Sequence, residues 1–89
     1  MRLALILALL LPGYAAAQAS AQACDAEIFK SEVTIAEARK KVEYRNDKGR
    51  FVLSTADRLV SQARKHAAAG ENRSCVSAAQ KARTQLSAR

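Results

Sequence analysis

The stretch Cys24-Asp-Ala-Glu-Ile-Phe-Lys-Ser-Glu-Val-Thr-Ile-Ala-Glu-Ala-Arg-Lys-Lys-Val42 places small or apolar residues alternately four and three positions apart. This rhythm matches one face of an α-helix, which turns once every 3.6 residues. The stretch therefore predicts an amphipathic helix. Its buried face would hold Cys24, Ile28, Ser31, Ile35, Ala38 and Val42, widened by Phe29, Val33 and Ala36.

The same spacing recurs twice downstream, which predicts an all-α protein. Proline is absent after Pro12 and alanine, the strongest helix former, is abundant. Gly49 and Gly70 divide the chain into three segments, so we expect helices at about 25–46, 51–69 and 73–88. Short connections between them favour a small antiparallel three-helix bundle, running up, down and up. The second stripe comprises Val52, Ala56, Leu59, Val60, Ala63 and Ala67, and the third comprises Cys75, Ala79, Ala82 and Leu86.

Local signals set the expected ends of these helices. Residues 46–49 read as a helix stop, with Gly49 in the left-handed conformation, and Asn72 is placed to cap the third helix. Capping-box spacings that begin at Thr34 and Ser54 favour later starts. They predict a kink near Thr34 and an entry segment at residues 51–53.

The only two cysteines, Cys24 and Cys75, are predicted to form one structural disulfide. An up-down-up bundle brings the starts of its first and third helices to the same end, where these cysteines lie. Zinc would need more ligands than two cysteines and one histidine provide, so we expect no metal site.

The first 23 residues have the pattern of a cleaved secretory signal peptide. A basic start at Arg2 precedes an apolar run at 3–11, which ends at Pro12-Gly13 and leads into small residues. Cleavage is expected after Ala17, Ala21 or Ala23. Retention as an anchor and lipidation of Cys24 are the alternatives, but the apolar run is half the length of a bilayer span. The predicted domain is then residues 24–89, and the predicted location is periplasmic or secreted.

A basic cluster at the first inter-helix turn is the sharpest candidate site. Without Arg2 the chain has 14 basic and 8 acidic residues, and many of the basic ones gather here. The cluster is either a binding patch or a solvated helix end whose cations complement the helix dipole. Tyr44 and Phe51 flank the turn, where they either pack on each other across it or add an apolar spot to the cluster. The predicted patch comprises Arg39, Lys40, Lys41, Tyr44, Arg45, Lys48, Arg50 and Phe51.

Function is predicted to be binding and not catalysis. The single histidine, His66, has no nucleophile or carboxylate arranged around it in sequence, and no phosphate loop is present. We expect a small exported accessory protein without a cofactor, whose partner is an envelope protein. The alternative is a binder of anionic lipid or polysaccharide that acts through net charge. Export and the lack of an aromatic platform argue against nucleic acid.

Overall fold

The computed structural model describes residues 19–87, so residues 1–18 of the predicted signal and cleavage region lie outside them. Helix α1 spans Ala21–Arg39, α2 spans Asp47–Ala68 and α3 spans Asn72–Ser87. A 3₁₀ helix, Val42–Tyr44, connects α1 to α2. These residues contain three α-helices and no strand, which confirms the all-α prediction.

Contacts between the helices establish their directions. Arg39 pairs with Asp57 and Glu32 pairs with Arg64, so α1 and α2 run antiparallel. Helices α1 and α3 run in the same direction. Their starts are joined by a disulfide, and the chain just after α1 meets the end of α3 through Tyr44 and Leu86.

The disulfide connects Cys24 to Cys75, as predicted, with 5.6 Å between their Cα atoms. Both side chains are fully buried, so the bridge is part of the core at one end of the bundle. The rest of the core is built largely on alanine, because small side chains let the helix axes approach closely. The completely buried alanines are Ala56, Ala63, Ala79 and Ala82.

The first inter-helix connection differs from the sequence prediction. Helix α1 ends at Arg39, well before residue 46, and α2 already begins at Asp47. Asn46 caps α2, since its side-chain oxygen accepts a hydrogen bond from the Gly49 amide at 2.7 Å. Gly49 therefore lies in the first turn of α2, and only Gly70 among the described residues has a positive φ, 76°.

Gly49 is needed here for close packing. A Cβ atom at this position would lie 2.6 Å from the carbonyl oxygen of Tyr44, a backbone atom that cannot rotate away. The missing side chain thus lets the 3₁₀ helix lie directly against α2.

Other boundary predictions also need correction. Helix α1 is continuous through Thr34, whose hydroxyl donates to the Lys30 carbonyl at 2.8 Å, as it can in a regular helix. The expected entry segment, 51–53, is helical. Asn72 is the first residue of α3 and not its cap, because the Glu71 carbonyl accepts the first helical hydrogen bond, from the Cys75 amide.

Candidate functional site: the basic tip

The connection between α1 and α2 forms one end of the bundle, opposite the disulfide. We call residues 39–51 the basic tip. They include six basic and two acidic residues, so the tip has a formal charge of +4. Its shape is set by the 3₁₀ helix and by the first turn of α2.

Tyr44 anchors the tip from inside. Only 6% of its surface is exposed, and its hydroxyl donates to the Leu86 carbonyl at 2.9 Å. The backbone is fixed as well, because the Tyr44 amide donates to the Lys41 carbonyl and the Arg45 amide donates to that of Val42. Tyr44, predicted as part of the patch, thus packs in the core and reaches the surface only where it lines the groove described below.

The six cations of the tip fall into two groups. Arg39 is paired with Asp57 across α1 and α2, and Arg50 is paired with Asp47 while also donating to the Arg45 carbonyl at 2.9 Å. The other four are exposed, and none has an ion-pair partner within residues 19–87. They are Lys40, Lys41, Arg45 and Lys48.

Two bulky apolar side chains are exposed among these cations. Val42 is 76% exposed and Phe51 is 72% exposed. Phe51 was predicted as a surface residue of the patch, but Val42 was assigned to the core stripe. That assignment is wrong because α1 ends before Val42, so the helical spacing no longer applies to it. Asn46 can cap a helix that starts at Asp47, and this signal in the sequence implies that α1 ends earlier and that Val42 lies in the connection.

A shallow groove adjoins the tip. It occupies ≈ 420 Å³ between the C-terminal ends of α1 and α3, and Lys41 lines it together with Val33 and Glu37. The groove is continuous with the tip through Lys41 and runs from it along the bundle.

A second charged cluster, between α1 and α3, is structural. Arg83 pairs with Glu27 and donates to the hydroxyl of Ser31 at 3.0 Å, and that hydroxyl donates to the Ala79 carbonyl at 2.7 Å. The hydrogen bond from Arg83 holds the pKa of Glu27 below its ordinary value, with smaller help from Lys30, although partial burial opposes the shift. These groups satisfy one another, so they fix the two helices in register.

Chemical groups for other functions are sparse in the described part of the chain. Residues 19–87 contain no cluster of three or more histidine, cysteine or carboxylate side chains suited to a metal ion. His66 contacts the Glu71 carboxylate at 2.7 Å, next to the turn between α2 and α3. Over the same residues, none of the helices combines the length and apolar character required of a membrane-spanning segment.

Comparison with known proteins provides no functional guide. The chain matches no protein-family model, no curated protein and no solved structure.

Proposed function

We propose that this chain is an exported, non-enzymatic binding module of the bacterial envelope, and that its basic tip docks onto an acidic surface of a partner protein. The observation that carries the proposal is the exposure of Val42 and Phe51 on the same short tip as four exposed cations that have no ion-pair partner within residues 19–87. Protein interfaces combine a central apolar or aromatic anchor with a polar rim in this way.

The rigidity of the tip supports this proposal. Tyr44, Gly49 and the Asn46 cap hold the connection in one conformation. A surface that is already ordered loses less conformational entropy on binding. The unpaired cations would speed association with an acidic partner, while Phe51 and Val42 would supply contacts that salt does not screen.

Export is the second part of the proposal, and the buried disulfide is compatible with an oxidising compartment. Among the three predicted cleavage positions, the start of α1 favours Ala17. Ser20 caps α1 by accepting a hydrogen bond from the Ala23 amide at 3.0 Å. Cleavage after Ala17 would keep this cap, whereas cleavage after Ala21 or Ala23 would remove it and place a new positive amino group within the first turn.

Binding to an anionic lipid or polysaccharide is the competing function, favoured by the net charge of the tip alone. Four cations with no ion-pair partner in the described residues could contact phosphate or carboxylate groups directly. Such binding depends on counterion release and weakens steeply with salt. A protein partner anchored on Phe51 and Val42 should resist the same change in salt.

Photo-crosslinking in intact envelopes tests the proposal. A photoreactive phenylalanine analogue replaces Phe51, and the control carries it at Ser61, an exposed position about 15 Å further along α2 from Phe51. We expect one discrete protein adduct at Phe51 that persists in moderate salt and is absent at Ser61. Adducts at both positions would contradict specific docking by the tip.

A matched pair of charge variants separates the two functions. One variant replaces the four unpaired tip cations with glutamine, and the control does the same to Arg58, Lys65, Arg73 and Lys81, which are exposed on α2 and α3. We expect only the tip variant to lower partner capture. If both variants lose binding equally, and Val42→Ser and Phe51→Ser have no effect, net charge is responsible and the competing function is correct.

A further inference from the structure

Helix α1 has a second apolar face that the bundle leaves uncovered. Phe29 is 66% exposed and Val33 is 41% exposed, and Ala26 and Ala36 beside them are exposed as well. At about 100° per residue, these four side chains centre about 160° away from the buried stripe of α1. The outer face is thus directed largely away from α2 and α3, with Val33 at the edge that borders the groove beside α3, and packing within the bundle does not explain it.

The apolar positions on this face are symmetric about position 31. Ala26 and Ala36 lie five residues on each side of position 31, and Phe29 and Val33 lie two residues on each side. Two copies of α1 placed antiparallel would therefore set Phe29 against Val33 twice and Ala26 against Ala36 twice. The alanines would let the two helix backbones approach closely at both ends of the contact.

Charge along α1 is self-complementary in the same orientation. Glu27, Glu32 and Arg39 are engaged in ion pairs within the bundle, which leaves Asp25 exposed near the start of α1 and Lys40 and Lys41 exposed directly after its end. Antiparallel pairing brings Asp25 of one copy beside these lysines of the other. A parallel pair would instead place like charges together. Neither Asp25 nor Lys40 has an ion-pair partner within residues 19–87, so both are available for this contact.

We propose that the outer face of α1 is an interface between two copies of this chain, packed antiparallel about a two-fold axis near position 31. A two-fold contact of this kind is the commonest form of self-association. Four apolar side chains per copy cover less than the ~1,200 Å² of a standard interface, so the dimer is weak and depends on concentration. The apolar contact of this interface lies outside the basic tip, and Lys40 is the one residue that both proposals use.

Sedimentation equilibrium of the purified protein tests the dimer, using the form of the chain that the cell produces. We expect the average mass to rise from monomer toward dimer between ~1 μM and ~1 mM. Phe29→Glu and Val33→Glu should each increase the dissociation constant at least ~10-fold, because each places a charge in the apolar contact. Phe51→Glu makes the same change at the tip and should leave the dissociation constant unaltered.

A charge exchange tests the orientation. Asp25→Lys and Lys40→Glu should each weaken the dimer, and the double variant should restore it, because antiparallel packing brings these two residues together between copies.

A mass that stays monomeric up to ~1 mM would overturn the proposal. So would association that Phe29→Glu and Val33→Glu leave intact. A double variant that is weaker than either single variant would overturn the antiparallel arrangement. If no adduct forms at Phe51 while the dimer is unchanged, the proposed function of the tip is contradicted and the dimer is not.

Discussion

Loss of the Cys24–Cys75 disulfide is expected to bring the bundle close to unfolding. The bridge closes a loop between residues 51 positions apart. In the chain-entropy relation, a loop of this length lowers the entropy of the unfolded chain by about 14 cal/mol/K, which stabilises the fold by about 4 kcal/mol at 25 °C. A domain of about 70 residues has a total stability of roughly 4–10 kcal/mol. The disulfide therefore accounts for a large share of it.

Urea unfolding followed by far-ultraviolet circular dichroism measures this contribution. The oxidised protein is compared with the reduced protein, in which both sulfur atoms stay in the core and only the cross-link is lost. With a slope of ~1 kcal/mol/M, the midpoint should fall by about 4 M. The Cys24→Ala, Cys75→Ala double variant should fall further, since it also leaves cavities in the core.

A shift of less than ~1 M between the oxidised and reduced proteins would refute this reasoning. It would mean that the reduced chain keeps compact structure in its unfolded state, or that packing of the alanine-rich core outweighs the closed loop. An equal loss in the reduced protein and the double variant would show that the buried sulfur atoms contribute no packing of their own.

Three further predictions concern residues with specific structural roles. Gly49→Ala should destabilise the bundle by about 1–3 kcal/mol in urea, because its Cβ would press on the Tyr44 backbone, and a result within 0.5 kcal/mol would contradict that contact. The lowered pKa of Glu27 means that the unfolded state binds more protons in acid than the folded state does. The stability that Glu27 contributes is therefore present above about pH 4.5 and should be lost as the pH falls below it. Urea midpoints across this range should show a weaker pH dependence in Glu27→Gln; an unchanged profile would assign the dependence to other carboxylates. Ser20→Ala should cost about 1 kcal/mol through loss of the α1 cap, and no change in the melting temperature would argue that the cap is unimportant.

The disulfide and the helical architecture could be predicted from the sequence because each depended on few alternatives. Two cysteines allow one internal pairing, and three stripes with helical spacing leave little room for strands. Ser31 was placed on the buried stripe by spacing alone, and it is buried through its hydrogen bonds to backbone carbonyls of α1 and α3.

The connection between α1 and α2 could not be predicted in the same way, because its packing is tertiary. Residues 46–49 fit a helix stop and a helix start equally well, and the contact of Gly49 with Tyr44 decides between them. Tyr44 lies in a 3₁₀ helix, outside the 3.6-residue period, so no helical stripe includes it. Because Tyr44 is buried, the bulky apolar side chains exposed on the tip are Phe51 and Val42.

The outer face of α1 was visible in the sequence but received the wrong assignment. Phe29, Val33 and Ala36 were expected to widen the core-facing stripe. A bundle of three short helices can cover only one side of α1, so residues centred about 160° from the core remain outside it. Spacing identifies apolar residues, but it does not say which of two opposite faces a neighbouring helix will cover.

Intact mass spectrometry of the protein isolated from the envelope fraction, with and without reductant, measures processing and cross-linking together. We expect a chain that begins at Gln18, after cleavage at Ala17, and that gains two hydrogen atoms on reduction as Cys24 and Cys75 separate. A full-length mass that does not change with reductant would contradict this expectation. The chain would then be neither processed nor cross-linked, and export of a disulfide-stabilised binding module would have to be abandoned.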